Sequence, residues 1–165
     1  MQPQLTINPN RISEDEAYMQ MAEIWARRSK ANRLQVGAIL VKDKRIISDG
    51  YNGRPAGAGA KDDVCEYWHQ GPQGYQDVEP EPILKTKDDV LHAESNVLLK
   101  IARSGGVGAD GATLYCTQSP CPECAKLIIQ AQIKRVVYRN KYRLTQGIEI
   151  CEKYGIKVEQ LKGTE

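Results

Sequence analysis

Apolar positions recur along this chain with two different periods, and the places where one period gives way to the other mark out its elements. Between Ser13 and about Ser29, Tyr18, Met21, Ile24 and Trp25 share one face at helical spacing, and Ser13-Glu14-Asp15-Glu16 has the Ser-x-x-Glu form of a capping box. The spacing predicts an amphipathic first helix. Residues 36–41 form a β-branched and apolar run, Asp43-Lys44 offers a turn, and 45–48 resumes the extended pattern, so a hairpin is expected. From residue 51 to about 87 Gly, Pro and acidic side chains dominate and periodicity is lost except around 64–68. A loop of that length inside a compact domain is expected to be functional or mobile.

Helical spacing returns at 92–103, with Ala93, Val97, Leu98 and Ile101 apolar and Gly105-Gly106 as the stop. Residues 113–117 read as a buried strand, and 121–131 as a helix with Pro122 in its favoured first turn. A core strand at 135–138, a helix at 146–154 stopped by Gly155 and a last strand at 157–161 complete the pattern. A hairpin followed by alternating helices and strands predicts an α/β fold, a sheet with helices on both faces. The helix before the last strand requires a crossover, so the final two strands should run parallel. With 165 residues, no Gly/Ser linker and no internal repeat, one domain spanning 1–165 is expected.

The candidate chemistry sits at two of these predicted helix starts. His92-Ala93-Glu94 is followed by Pro120-Cys121-Pro122-Glu123-Cys124, which together supply one imidazole and two thiolates. Zinc prefers four tetrahedral ligands, so His92, Cys121 and Cys124 would leave one position for water, the mark of a catalytic site. Glu94, two residues after the His ligand, is the carboxylate left to move protons. A helix N-terminus lowers the pKa of a cysteine and so favours the thiolate that zinc requires. A lone Cys-x-x-Cys also occurs in redox pairs and zinc ribbons, but the upstream His-x-Glu makes the pattern that of the zinc-dependent base deaminases.

Composition narrows the surroundings. A net charge of +2, with Lys and Arg spread along the chain, argues against a nucleic-acid-binding surface. No apolar run approaches membrane-spanning length, and Met1-Gln2-Pro3-Gln4 lacks the basic start of a secretory signal, so a soluble, cytoplasmic protein is expected. Five cysteines, two assigned to metal, fit a reducing compartment better than a disulfide framework, and Cys116 and Cys151 read as small core residues.

Arg28-Ser29-Lys30, Gln35-Val36-Gly37-Ala38, the segment Gly50-Tyr51-Asn52-Gly53-Arg54-Pro55-Ala56-Gly57, His92-Ala93-Glu94-Ser95-Asn96, and Ser119 through Lys126 resemble the deoxycytidylate deaminase branch of the cytidine deaminase-like superfamily. The resemblance runs from about residue 26 to 142. It implies a three-layer α/β/α sandwich around a mixed five-stranded sheet, and zinc-dependent conversion of dCMP to dUMP, the precursor for thymidylate synthesis. It also implies activation by dCTP, inhibition by dTTP and assembly as a hexamer. Asn52 would hydrogen-bond the sugar, Tyr142 would line the nucleotide pocket, and Ser29 and Lys30 match the segment near the 5′-phosphate. Effector contacts would fall in the loop that carries Asn52, Gly53, Gly57, Asp62 and Asp63, where glycines let backbone N–H groups approach phosphates. Some members carry a second, structural zinc. Here Cys65 and His69 are the only candidates outside the catalytic set, too few for a closed site, so one zinc per chain is expected.

Three other readings compete. A nucleic-acid deaminase acting on a transfer-RNA loop or single-stranded DNA needs a basic groove and exposed aromatic rings, whereas this chain has no Phe and nearly balanced charge. A free-nucleoside cytidine deaminase is disfavoured only by the Gly-Tyr-Asn-Gly resemblance. A non-enzymatic, zinc-stabilised nucleotide-binding module has no use for an unliganded Glu94 beside an open metal position.

Overall fold

The computed structural model describes residues 7–57, 64–70 and 81–163. Its organising unit is the early hairpin. Asp43 and Lys44 both take positive φ (50° and 59°), the turn geometry that matches the twist of the strands it joins, β1 (Gly37–Lys42) and β2 (Arg45–Tyr51). Along β1, Ala38 and Leu40 point to one face and Ile39 and Val41 to the other, all buried. A strand buried on both faces must be central, and β1 pairs antiparallel with β2 on one side and with β5 (Thr113–Gln118) on the other. A register shift between Leu40 and Val41 kinks the β1–β2 ladder.

From β5 outward the sheet is parallel through β6 (Arg135–Asn140) to β7 (Lys157–Gln160), giving the order β2-β1-β5-β6-β7. The mixed five-stranded sheet and the parallel final pair expected from the sequence are both present. Helices α2 (Ala93–Ser104), α3 (Pro122–Gln130) and α4 (Gln146–Lys153) share one core with Ala38, Leu40, Leu114, Cys116 and Val136. Helix α1 (Glu14–Ala26) covers the opposite face through Met19 and Ala22, against Ile39, Val41, Tyr115 and Val137. The result is the expected α/β/α sandwich. Cys116 and Cys151 are buried in it.

Two expectations need correction. The stripe of α1 that faces the sheet is Met19, Ala22 and Ala26, with Tyr18 and Trp25 on its flanks, while Met21 and Ile24 are 42% and 58% exposed. The reason is distance. A Cβ on Gly37 would lie 2.0 Å from the Ala22 carbonyl oxygen and 2.4 Å from the Ala26 nitrogen, so only small side chains fit where α1 crosses β1. The capping box is also only half formed: Ser13 accepts from the Glu16 N–H at 3.1 Å, but the Glu16 carboxylate turns away to Arg139.

The second correction concerns the stretch expected to be a loop. Within it, β3 (Glu66–Gln70) and β4 (Pro82–Thr86) pair antiparallel as a separate two-stranded sheet. Its residues are exposed on both faces apart from Glu66 and Leu84, so the weak periodicity around 64–68 is all that announces it. Cys65 is buried just before β3, and His69 is exposed within it, not in a loop. Among the described residues no helix is long and apolar enough to cross a membrane.

Candidate active site

Two helix starts meet on the α2–α3–α4 face. His92 is the N-cap of α2 and Cys121 the N-cap of α3, so both helices present their N-termini at one point. The His92 ring makes no capping bond because it is turned towards the sulfurs, with Nδ1 3.3 Å from Cys124 Sγ and 3.5 Å from Cys121 Sγ. Cys121 Sγ accepts from the Cys124 N–H at 3.4 Å. All three donor atoms lie within 4.8 Å of one another, the only such group of three among the described residues. A tetrahedral zinc with bonds of ~2.0 Å to nitrogen and ~2.3 Å to sulfur sets its donors roughly 3.5 Å apart, so both the spacing and the N/S/S chemistry fit.

The hydrogen bond between the two sulfurs, and then His92, pushes Cys121 down to about 4. The same hydrogen bond, with burial, pushes Cys124 up. Contact with Cys121 raises the pKa of His92. Glu94 is buried in the first turn of α2, and its desolvation raises its pKa above the ordinary carboxylate value.

Close backbone packing holds these groups in place. A Cβ on Gly50 in β2 would come 2.8 Å from the Ala93 carbonyl oxygen and 3.0 Å from Val97. A Cβ on Gly147 in α4 would come 2.0 Å from the Pro120 carbonyl oxygen and 2.7 Å from the Cys121 carbonyl carbon. The chain before His92 is fixed as well, by an antiparallel bridge between Gly53 and Leu91 and by an Arg54–Asp89 ion pair at 2.6 Å.

His92, Glu94 and Cys121 line a pocket of about 410 Å³, and the residues expected around a nucleotide fall into three groups. Asn52 and Tyr142 reach the pocket wall. The Asn52 amide also braces the backbone, accepting from the Val36 N–H and donating one N–H to the Leu34 carbonyl, both at 2.8 Å. Ser29 and Lys30 are not on the wall: Ser29 Oγ donates to the Asn52 carbonyl at 2.8 Å and accepts from the Ala31 N–H, bracing the turn. Gly53 gives its N–H to the Leu91 carbonyl, which takes that donor away from any effector, and Gly57 is exposed at φ +105°. Asp62 and Asp63 lie outside the described residues.

The pocket also contains residues not anticipated from the sequence. Arg33, Lys141 and Arg143 line it, the last two flanking Tyr142, with the Arg143 guanidinium 5.7 Å from the Tyr142 ring centre. Their charges are visible in the sequence, but only the fold brings them to the same pocket. Glu66 also lines the pocket, and its partners are 33 and 34 residues away, beyond any local pattern.

Residues 12–140 match the family described as the cytidine and deoxycytidylate deaminase zinc-binding region. The chain belongs to this family. It is 40% identical to the dCMP deaminase of cyanophage S-TIM5, crystallised with dCMP and dUMP, with a TM-score of 0.76 over 94% of this chain and 100% of that one. ComE operon protein 2 of Bacillus subtilis (strain 168) is 37% identical over 92% of this chain and 73% of its own length. The deoxycytidylate deaminase of Schizosaccharomyces pombe is 34% identical over 93% of this chain and 46% of its own length, so the chain spans about half of that relative. The resemblance read from the sequence motifs, to the deoxycytidylate deaminase branch of the cytidine deaminase-like superfamily, is borne out.

Proposed function

We propose that the protein catalyses the zinc-dependent hydrolytic deamination of dCMP to dUMP and ammonia. The observation that carries this reading is the placement of a buried Glu94 with His92 and Cys121 in a pocket that also holds three cationic side chains, Arg33, Lys141 and Arg143. That combination suits a base at one end and a 5′-monophosphate at the other. The family and the names of the relatives support an enzyme that deaminates dCMP.

In this proposal His92, Cys121 and Cys124 hold the ion. A zinc ion held there would lower the pKa of a water towards ~7 and so supply a nucleophile near neutral pH. Glu94 takes the proton from the attacking water and delivers it to N3 of cytosine, which makes C4 electrophilic. After oxygen has bonded to C4, Glu94 takes the remaining proton from that hydroxyl and passes it to the exocyclic amine, so that C4=O forms as the C4–N bond breaks and ammonia leaves. A carboxyl group that must both accept and give a proton works best near the operating pH, and burial moves Glu94 in that direction. Tyr142 and Asn52 line the pocket; Asn52 holds the 34–36 backbone and keeps a second amide N–H with which to hydrogen-bond the sugar.

The proposal extends to supply of dUMP for thymidylate synthesis in the cytoplasm, to activation by dCTP with inhibition by dTTP, and to a hexamer. Support for these is the family resemblance. Ammonia release from dCMP by the zinc-loaded protein, run beside CMP, deoxycytidine and dCMP with either triphosphate, tests each part. Turnover of dCMP far above deoxycytidine supports the reading. Equal turnover of the nucleoside, or none of dCMP, overturns it.

A further inference from the structure

Glu66 stands at the pocket end of the two-stranded sheet and is buried without contacting the metal group. Its Oε1 accepts from the backbone N–H groups of Asn32 at 2.9 Å and Arg33 at 3.1 Å. Its Oε2 accepts from the Asn32 N–H at 3.1 Å and from Asn32 Nδ2 at 3.3 Å. Thr86 is its cross-strand partner in β4, and Thr86 Oγ1 accepts from Arg33 Nη1 at 3.5 Å. The Lys87 N–H donates to the Cys65 carbonyl at 2.9 Å and closes the ladder at the same end. One end of this small sheet therefore holds Arg33 twice, by its backbone through Glu66 and by its side chain through Thr86.

Bonds from N–H groups to an ionised carboxylate are roughly twice as strong as neutral ones, so this is a firm anchor. Charge makes the arrangement informative. These bonds engage Glu66 with backbone and amide donors, leaving it to fix the position of Arg33 without capping the guanidinium. All three residues line the pocket that contains Glu94. We propose that Glu66 is a positioning residue that presents Arg33 to the 5′-phosphate of the substrate, which makes the β3–β4 sheet a determinant of monophosphate specificity. This rests on reading the pocket as a nucleoside monophosphate site.

The test is a double-mutant cycle on the zinc-loaded full chain with dCMP and deoxycytidine as substrates. Arg33→Ala and Glu66→Ala should each raise KM for dCMP by about tenfold or more, the worth of one charge-assisted contact, with kcat moved much less. The double variant should be no worse than Arg33→Ala alone, because both changes remove the same contact. Glu66→Gln, which keeps an acceptor oxygen, should recover part of the loss, and the preference for dCMP over deoxycytidine should fall in step with KM. Should Glu66→Ala fail to fold, Thr86→Val carries the same cycle with a smaller KM change. An unchanged KM in the foldable variant, or additive effects in the double variant, overturns the inference while leaving the proposed reaction intact. Lack of dCMP turnover by the unaltered protein removes both.

Discussion

Two glutamates occupy nearly equivalent places on opposite sides of the sheet, and their environments drive them in opposite directions. Glu16 lies in the first turn of α1 and is 7% exposed; Glu94 lies in the first turn of α2 and is 4% exposed. Both carry a helix N-terminus and a burial cost. Glu16 meets Arg139 at 2.7 and 3.1 Å, which holds its carboxyl below the ordinary range. For Glu94 desolvation outweighs every favourable contact and pushes it up. Burial of a carboxylate therefore does not identify a working residue. A strong cationic partner marks the structural one, and its lack of dominance marks the one that can exchange a proton.

The sharpest way to break this comparison is to neutralise both. Glu94→Gln should lower kcat by about 10²–10⁴-fold, the worth of general acid–base catalysis, while zinc content measured by atomic absorption stays at the wild-type level. Glu16→Gln should leave kcat within about twofold and instead lower the melting temperature, as loss of a structural ion pair does. Equal losses of turnover in the two variants would remove the distinction. Cys124→Ser should abolish both bound zinc and turnover, which separates loss of the metal from loss of the proton carrier.

Gly147→Ala comes next in size. The added methyl meets backbone atoms of Pro120 and Cys121, so it should cost about 1–3 kcal/mol in denaturant unfolding and weaken zinc retention, although residue 147 is not a ligand. Retention equal to wild type in a chelator competition would show that α4 does not fix the cysteine loop. The smallest effect is on acid stability. Because Glu16 is lowered from 4.5 in the fold, its ion pair contributes fully above that value, and the contribution is lost as pH falls through the lowered one. Arg139→Ala should therefore move the acid unfolding midpoint to higher pH, read by circular dichroism.

What the sequence revealed depended on whether a residue's partner lay nearby along the chain. The metal group was legible because each half sits at a helix start with local signals: Gly105 after α2, and Pro122 opening α3. The strand order followed from connection rules. The contact face of α1 was not legible, since the space that selects Ala22 and Ala26 over Met21 and Ile24 is set by Gly37 on another element. Strands β3 and β4 carry little alternation because, apart from Glu66 and Leu84, their residues are exposed. Arg33, Glu66 and Gly147 belong to the site through contacts that cross 33 to 53 residues or pass between α4 and the cysteine loop, where periodicity carries no information.

The kink between Leu40 and Val41 has a bearing on solubility. It falls in the ladder to β2, one outer strand of the five-stranded sheet; the other, β7, is only four residues long. A flat, regular outer strand is a template on which another chain can add its own backbone. Here one border is twisted by the unpaired Ile47, two residues from Arg45, and the other offers too few free N–H and C=O groups to nucleate a match. Straightening the first border by deleting the irregular residue should leave the pocket chemistry in place and make the protein prone to growing into β-aggregates.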